Sequence, residues 1–326
     1  MNFFTQIEPV PSGILLNTQS RITSLGSCFA EVIGQQLSDY KWPVDSNTMG
    51  VLFHPLAIRD LIRRALTLDA FNHSDLSEFQ GRYYILALHG QYSDTDAPAL
   101  LDRVNADLKR LHSSLIKASH VLITLGTAWA YEFVANHQIV GNCHKLPGTL
   151  FEKRLLTIDQ IQDAVSEIIE CSTKYNPQVQ LIFSVSPVRH IKDGLLLNSL
   201  GKAHLISGLH AALENQVTTK TPAKYFPAYE LMMDQLRDYR FYKSDLIHPN
   251  DQGVQVVWEH FKDGWIEPQL ELYLSEIRGI QKGLAHRPTW PDSPEHIEFK
   301  NQLKQRILEF EQQYPHISFN DQISEL

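Results

Sequence analysis

The α/β architecture of this chain is predicted most directly by the segment RITSLGSCFAEVIGQQLSDY, residues 21–40. Residues 21–25, which include Ile22 and Leu25, are a short strand candidate, and residues 30–40 carry apolar side chains at helical spacing. Gly26 and Ser27 lie in the turn between them. A strand that turns directly into a helix begins a βα unit, so this segment predicts the first strand of a mostly parallel sheet.

The same order of helix and strand recurs further along the chain. Residues 121–125 and 181–185 are two more candidate strands, and stretches of helical period precede them at residues 100–118 and 158–172. This alternation is expected when helices cover both faces of a parallel sheet. A further helix is predicted at residues 252–261, and residues 82–92 are interpreted as an additional strand or hairpin arm.

The length and composition indicate one main domain. The chain has 326 residues, of which 43% are hydrophobic, and no linker rich in Pro, Gly or Ser divides it. We predict one main α/β domain over residues 1–268 and a helical C-terminal extension over residues 269–326. The extension would serve packing or oligomerisation, and a homodimer is one expectation.

Charge, cysteine content and hydropathy restrict the partners and the compartment. The formal charge of −8 and the pI near 6.0 argue against nucleic acid as a partner, because phosphate-binding surfaces need clustered Lys and Arg. Three widely spaced cysteines are not a disulfide framework and fit a reducing compartment. No apolar run approaches the roughly 18 residues of a membrane span, and residues 1–13 lack secretory-signal character. We therefore expect a cytoplasmic protein that does not bind a membrane.

Three residues suggest nucleophilic catalysis. Ser27 lies at a strand-to-helix turn, near the positive end of a helix dipole, which favours an oxyanion. Asp245 and His248 could supply a general base and the carboxylate that orients it. A Gly-Ser turn is usually only a turn, and Asp-x-x-His is often a surface capping arrangement. Ser27 precedes the first helix, and Asp245 and His248 precede the helix predicted at residues 252–261. This chain order predicts a Ser27–His248–Asp245 triad.

Cys28 offers an alternative nucleophile at the same helix end. Its thiolate would be stabilised by the same dipole as the Ser27 alkoxide. Neighbouring side chains in a helix point about 100° apart, so Ser27 and Cys28 cannot both face His248. The residues alone leave both open.

At this point the chain resembles the GSCFA-domain proteins, a branch of the SGNH/GDSL hydrolase superfamily. The resemblance begins with the pentapeptide GSCFA and extends over about residues 23–261. Its further blocks are SNTMGVLFHP (46–55), LGTAW (125–129), NCHK (142–145), SPVRH (186–190), YFPAYE (225–230), LRDYRFY (236–242) and the pair Asp245 and His248.

The resemblance implies a flavodoxin-like three-layer α/β/α fold and chemistry on carboxylic esters. It favours Ser27 over Cys28 as the nucleophile. The implied function is a serine esterase that forms an acyl-Ser27 intermediate, with O-acetyl groups of carbohydrates as the favoured substrates. An O-acyltransferase with the same triad, and a catalytically weak carbohydrate-binding or sensing module, are the alternatives.

The resemblance also predicts an oxyanion hole. The N–H groups of Ser27 and Gly50 would hold the oxyanion, and an asparagine amide would normally be the third donor. Here Ala128 stands at that position. Loss of one donor costs about 10²- to 10³-fold in rate, so another group is expected to replace it. The candidates are Thr127, Asn142 and His144, although residues 142–145 could equally be a structural polar loop.

Arg189 and His190 follow the candidate strand at residues 181–185 and are candidate substrate contacts. Arg189 could bind an anionic group of the substrate, although a salt bridge to a loop carboxylate is the commoner role for such an arginine. No cofactor is predicted, because no glycine-rich phosphate loop occurs. No metal site is predicted either, because the adjacent Cys143 and His144 have poor ligand geometry.

Overall fold

The computed structural model describes residues 5–9, 12–216 and 223–323. The strands are β1 (Ile22–Gly26), β2 (Val44–Ser46), β3 (Ser77–Phe79), β4 (Arg82–Tyr84), β5 (Ser93–Asp94), β6 (His120–Leu125), β7 (Trp129–Phe133), β8 (Gln138–Val140), β9 (Phe151–Leu155), β10 (Gln180–Val185) and β11 (Lys224–Tyr225). The helices are α1 (Cys28–Asp39), α2 (Pro55–Thr67), α3 (Ala97–Lys117), α4 (Ile158–Tyr175), α5 (Leu195–Glu214), α6 (Ala228–Glu230), α7 (Asp251–Trp265), α8 (Glu271–Leu284), α9 (Pro294–Gln313) and α10 (Asn320–Ile323).

A five-stranded sheet of order β11-β10-β6-β1-β2 forms the centre of the protein, and all its pairings are parallel. Alternate side chains of a strand point to opposite faces of a sheet. Accordingly, Val121, Ile123 and Leu125 of β6 pack into an apolar core with α2, α3, α4 and α5, whereas Leu122 joins a second core with α1 and α7. The result is the predicted three-layer α/β/α arrangement with a parallel sheet.

The locally patterned elements occur close to their predicted positions. The candidate strands at residues 21–25, 121–125 and 181–185 correspond to β1, β6 and β10. The candidate arm at residues 82–92 contributes β4 to a small antiparallel sheet of order β3-β4-β5. The helices α2 and α5 and a second antiparallel sheet of order β8-β7-β9 were not predicted from the sequence.

The C-terminal helices join the buried apolar cluster that also contains residues of α1 and α7. Ile277 and Ile280 of α8 and Ile307 and Phe310 of α9 belong to the same buried cluster as Trp258 of α7. The extension thus completes an apolar layer of the main domain. Burial of side chains of this kind stabilises by about 1.5–3 kcal/mol each, so the extension contributes to the stability of the whole.

The predicted division after residue 268 stays a prediction, and the chain ends at residues 1–4 and 324–326 lie outside the described residues. None of the helices in the described part of the chain combines the length and the apolar composition that a membrane span requires.

The turn from β1 to α1 fixes the site described below. Gly26 has φ +121°, and a Cβ there would overlap the backbone carbonyl of Thr124 on the neighbouring strand. The N–H of Gly26 donates to Oδ1 of Asn47 (2.9 Å). Ser27 then caps α1, because its Oγ accepts a hydrogen bond from the N–H of Phe29 (3.3 Å). The chain can therefore reverse from strand to helix within one residue.

Substitution of Gly26 tests this close approach. We expect Gly26→Ala to lower the free energy of unfolding by about 2–4 kcal/mol, because backbone strain and overpacking add. Gly81→Ala is the matched control, since Gly81 also has positive φ (+74°) but no atom within 4 Å of the added Cβ. It should cost only about 1 kcal/mol. If urea unfolding showed that both variants lose the same free energy of unfolding, this account of Gly26 would be contradicted.

Candidate active site

The carboxyl ends of the three central strands meet at one edge of the sheet. Here β1 leads into Ser27 and Cys28, β6 into Gly126, and β10 into Ser186. Ligands of open α/β sheets bind at this edge. The Nζ of Lys202, on α5, donates to the carbonyl oxygens of Gly126 (2.7 Å) and Ser186 (2.6 Å) and so connects the ends of β6 and β10.

The structure brings Asp245 and His248 together. The Nδ1 of His248 lies 2.7 Å from Oδ2 of Asp245, and Oδ1 of Asp245 accepts hydrogen bonds from the N–H groups of Ile247 (2.9 Å) and His248 (3.0 Å). These bonds, led by the one from the His248 N–H, lower the pKa of Asp245 to about 2. Leu246 makes the tight loop possible by adopting φ +59°. The carboxylate thus fixes both the loop and the imidazole.

The segment before this loop holds it in place through backbone contacts. The N–H of Lys243 donates to the carbonyl of His248 (2.8 Å), and Tyr242 forms an antiparallel bridge with Pro249. Asn250 caps α7 through a bond from the N–H of Gly253 (3.1 Å). The base loop is therefore tied to a helix on one side and to its preceding segment on the other.

His248 lines a cavity of about 480 Å³ together with Cys28, Val188 and Lys243. Because Asp245 occupies Nδ1, Nε2 is the imidazole nitrogen available for proton transfer. The side chains of both Asp245 and His248 are 45% exposed, so substrate can reach the imidazole.

The predicted nucleophile Ser27 does not line this cavity, in contrast to Cys28. Ser27 is only 1% exposed, and its hydroxyl caps the helix that Cys28 begins. Cys28 is half-buried. The expectation that Ser27 rather than Cys28 is the nucleophile stays a prediction, because among the described residues no hydrogen bond joins either side chain to His248.

The environment of the Cys28 thiol keeps it protonated. Burial, followed by the carboxylate of Glu31, raises its pKa, while its own N–H, the ammonium of Lys202 and the N–H of Phe29 act in the opposite direction. The first N–H groups of a helix have no partner within it, so they can act on the sulfur. Cys28 is therefore a thiol that needs a base, beside donors that could hold a negative charge.

The two backbone donors predicted for the oxyanion are already engaged. The N–H of Ser27 donates to the carbonyl of Thr124 (2.9 Å), and the N–H of Gly50 donates to the carbonyl of Asn47 (2.6 Å). Each N–H completes a local backbone contact in this structure, and the oxyanion role of both groups stays a prediction. The N–H of Cys28, at the first position of α1, has the better placement.

The candidate replacements for the missing asparagine have structural contacts. Thr127 Oγ1 accepts from the N–H of Trp129 (3.0 Å), and Asn142 Oδ1 accepts from the N–H of His144 (2.7 Å). His144 Nε2 lies 3.0 Å from the carbonyl of Ile85. None of the three candidates is among the described residues lining the cavity of Cys28 and His248. Ala128 itself is fully buried.

Arg189 and His190 lie at the carboxyl end of β10, as predicted, and differ in their partners. Arg189 donates to Ser199 Oγ (3.1 Å) and approaches the ring of Tyr229, but it has no ion pair within the described residues. His190 Nδ1 lies 3.1 Å from Oδ2 of Asp193. Arg189 thus keeps its charge available, and it lines a cavity of about 500 Å³ beside the loop of His248.

Lys202 was missed as a site residue from the sequence. Burial, and then the charge of Arg189, lowers its pKa to about 7, whereas Cys28 has the opposite effect. Asn47, which holds the Gly26 turn, was missed as well. The only sequence signals were a lysine within the apolar stretch of α5 and an asparagine at the start of SNTMG.

Comparisons with known proteins identify the family. A family model described as GSCFA family matches residues 21–261, and one described as GSCFA domain protein, C-terminal domain, matches residues 277–326. The comparison with curated proteins found no match. One crystal structure aligns at 14% identity over 76% of this chain and 95% of its own, with a TM-score of 0.36, which is too weak a likeness to support any inference.

Titration of Lys202 gives the stability a distinct pH dependence. Its pKa is about 7 in the folded protein against 10.5 normally. Between these values the unfolded chain binds a proton that the folded protein lacks, so the free energy of unfolding rises with pH. We expect the free energy of unfolding of wild type to rise, relative to that of Lys202→Met, between pH 7 and pH 10. The exposed Lys174→Met should show no such slope, and parallel curves for Lys202→Met would contradict the burial of a titrating amine.

Proposed function

Because the chain belongs to the GSCFA family, we propose that it is a hydrolase of carboxylic esters that works through an acyl-enzyme intermediate. In this proposal His248 is the general base, Asp245 orients it, and a side chain in the first turn of α1 accepts the acyl group. The proposal includes membership of the SGNH/GDSL superfamily. It is supported by the Asp-x-x-His loop, which precedes α7 as the resemblance implies.

The main support is the geometry of the imidazole. Asp245 holds Nδ1 at 2.7 Å, and His248 lines the same cavity as the first residue of α1. A carboxylate in this position selects the tautomer in which Nε2 can accept a proton and stabilises the imidazolium that results. A lone surface Asp–His pair would not need a cavity or a helix N-terminus beside it.

The reaction follows from these positions. His248 takes the proton of the nucleophile, which attacks the ester carbonyl, and the helix N-terminus stabilises the oxyanion. The imidazolium then protonates the leaving alcohol. In the second half, His248 activates a water molecule that attacks the acyl-enzyme, and the carboxylic acid leaves as the nucleophile regains its proton.

The substrate in this proposal is a small ester, with O-acetyl groups of carbohydrates favoured by the resemblance. Arg189 supports one refinement: a guanidinium without an ion pair among the described residues can bind an anionic group of the substrate.

The proposal places the protein in a reducing, cytoplasmic setting, where its free cysteines Cys28, Cys143 and Cys171 would persist. A homodimer remains part of it.

Asp245→Asn tests the general base. The asparagine Oδ1 can still accept the two backbone N–H groups of the loop, but its amide cannot accept from His248 Nδ1. We expect the hydrolysis of p-nitrophenyl acetate to fall about 10²- to 10⁴-fold in kcat without unfolding. Asp263→Asn, on the exposed face of α7, is the matched control and should have the wild-type rate.

Two other outcomes would change the assignment. Diversion of the acetyl group to an added alcohol, in preference to water, would make the protein an acyltransferase. Absence of turnover in folded wild type, together with binding of a carbohydrate ester, would make it a binding module. Full activity of Asp245→Asn would remove the proposed base.

A further inference from the structure

We infer that the cavity lined by Arg189 binds the alcohol half of the ester, and that this half carries a carboxylate on an apolar hydrocarbon chain. The inference rests on the proposed esterase and names the class of its substrate: a short acyl ester of an anionic, amphiphilic alcohol. Its basis is a cavity of about 500 Å³ that combines a guanidinium with apolar walls and lies beside the loop of His248.

The charge of this cavity suits a monoanion. Its charged lining residues are Arg189, Arg237 and Asp238, two cations against one anion, on a chain with a formal charge of −8. Arg237 pairs with Asp234 (3.7 Å), and Asp238 pairs with Arg240 (3.6 Å). Within the described part of the chain Arg189 has no such partner, so its guanidinium is the group that an incoming carboxylate can pair with.

Neutral groups hold the guanidinium of Arg189 in place. One nitrogen, Nη1, donates to Oγ of Ser199 (3.1 Å), Nη2 lies 3.2 Å from Sδ of Met233, and the group lies 5.8 Å from the centre of the Tyr229 ring. These contacts orient the planar fork without neutralising it. Helix α5 also begins at this cavity, with no side chain bonded to its first N–H groups, so its dipole adds to the attraction for an anion.

The remaining walls of the cavity are mainly apolar. Leu195, Tyr239 and Leu246 line it and are each more than half exposed, and Met232 and Met233 line it as well. Four further exposed apolar side chains lie within residues 191–200, namely Ile191, Leu196, Leu197 and Leu200. Exposed apolar surface that is concentrated in this way marks a binding site. A hydrocarbon chain would cover it, whereas a neutral sugar would find few hydrogen-bonding partners.

The Arg189 cavity and the catalytic cavity are lined by the same two segments. Val188 and His248 line the catalytic cavity, whereas Arg189 and Leu246, one and two residues away from them, line the other. In the proposed reaction the acyl group is bonded at the start of α1, and His248 protonates the leaving oxygen. The alcohol oxygen therefore lies against the His248 loop, and the rest of the alcohol extends past that loop towards Arg189.

Binding of octanoate to the full chain tests the cavity without turnover. In calorimetric titrations below the micellar range, we expect octanoate to bind more tightly than butanoate, by up to about fourfold for each methylene group that is buried. Octanol, which lacks the anion, should bind at least about tenfold more weakly than octanoate. Arg189→Gln should lose this preference. Arg240→Gln, the same charge change outside the cavity, should keep it.

Leu195→Ser tests the apolar wall. The gain in affinity from butanoate to octanoate should fall by about threefold or more, because less hydrocarbon is removed from water. Leu272→Ser is the matched control, since Leu272 is also an exposed leucine in the first turn of a helix but does not line the cavity. It should show the wild-type gain.

An esterase assay then tests the assignment to the alcohol half. The acetate ester of p-hydroxyphenylpropionate carries a carboxylate on its alcohol half, and the acetate ester of p-hydroxyphenylpropionamide is its neutral counterpart. We expect kcat/KM to be about 10- to 100-fold higher for the anionic ester, mainly through a lower KM. Arg189→Gln should abolish this ratio, and Arg240→Gln should retain it.

The outcomes separate this inference from the proposed esterase. Hydrolysis of p-nitrophenyl acetate together with equal binding of octanoate and octanol, or with a preference that survives Arg189→Gln, would overturn the inference and retain the esterase. Octanoate binding without turnover of any ester by folded wild type would overturn the esterase and the assignment to its alcohol half, while it would confirm a site for anionic amphiphiles.

Three other results would overturn the inference by assigning the cavity and its apolar surface to another occupant. Tighter binding of octyl phosphate than of octanoate would replace the carboxylate by a phosphate. Sedimentation with phosphatidylglycerol vesicles, without binding of octanoate, would make the surface a membrane contact. A dimer that Leu196→Ser dissociates, again without binding of octanoate, would make it an interface between two copies of this chain.

Discussion

The close approach of β1 to β6 at Gly26 is the constraint on which the candidate site depends. The carbonyl of Thr124 occupies the space where a side chain would begin, so the strand must end in glycine. Asn47 then binds the N–H of Gly26 and fixes the direction of the turn. Because α1 begins one residue after this turn's Ser27 cap, the position of Cys28 relative to His248 is set by backbone packing and not by a flexible loop.

The fold was predictable where local pattern and tertiary environment agree. Buried parallel strands such as β6 and β10 read as continuous apolar runs, and α3 and α4 have clear helical periods. Helix α5 was missed because it is apolar around much of its circumference, so its sequence has little period. The sheet of β7, β8 and β9 was missed because β7 pairs with β9 across residues 134–150. Such a distant pairing depends on the rest of the fold.

The same distinction applies to the site. Asp245 and His248 are three residues apart in one loop, and a contact of that range can be inferred from sequence. The choice between Ser27 and Cys28 as nucleophile could not be inferred from sequence. It depends on how the start of α1 orients the two side chains. Lys202 could not be assigned either: its bonds to Gly126 and Ser186 span 76 and 16 residues and exist only after α5 has packed under the sheet.

The central sheet ends in short strands on both sides, with three residues in β2 and two in β11. An edge strand exposes unpaired N–H and C=O groups that can template the addition of another chain, and a short edge offers few of them. Self-association of this protein by sheet continuation is therefore disfavoured. If two copies associate, their contact surface must be built from helices and side chains, which would leave the hydrogen-bonded framework of each copy intact.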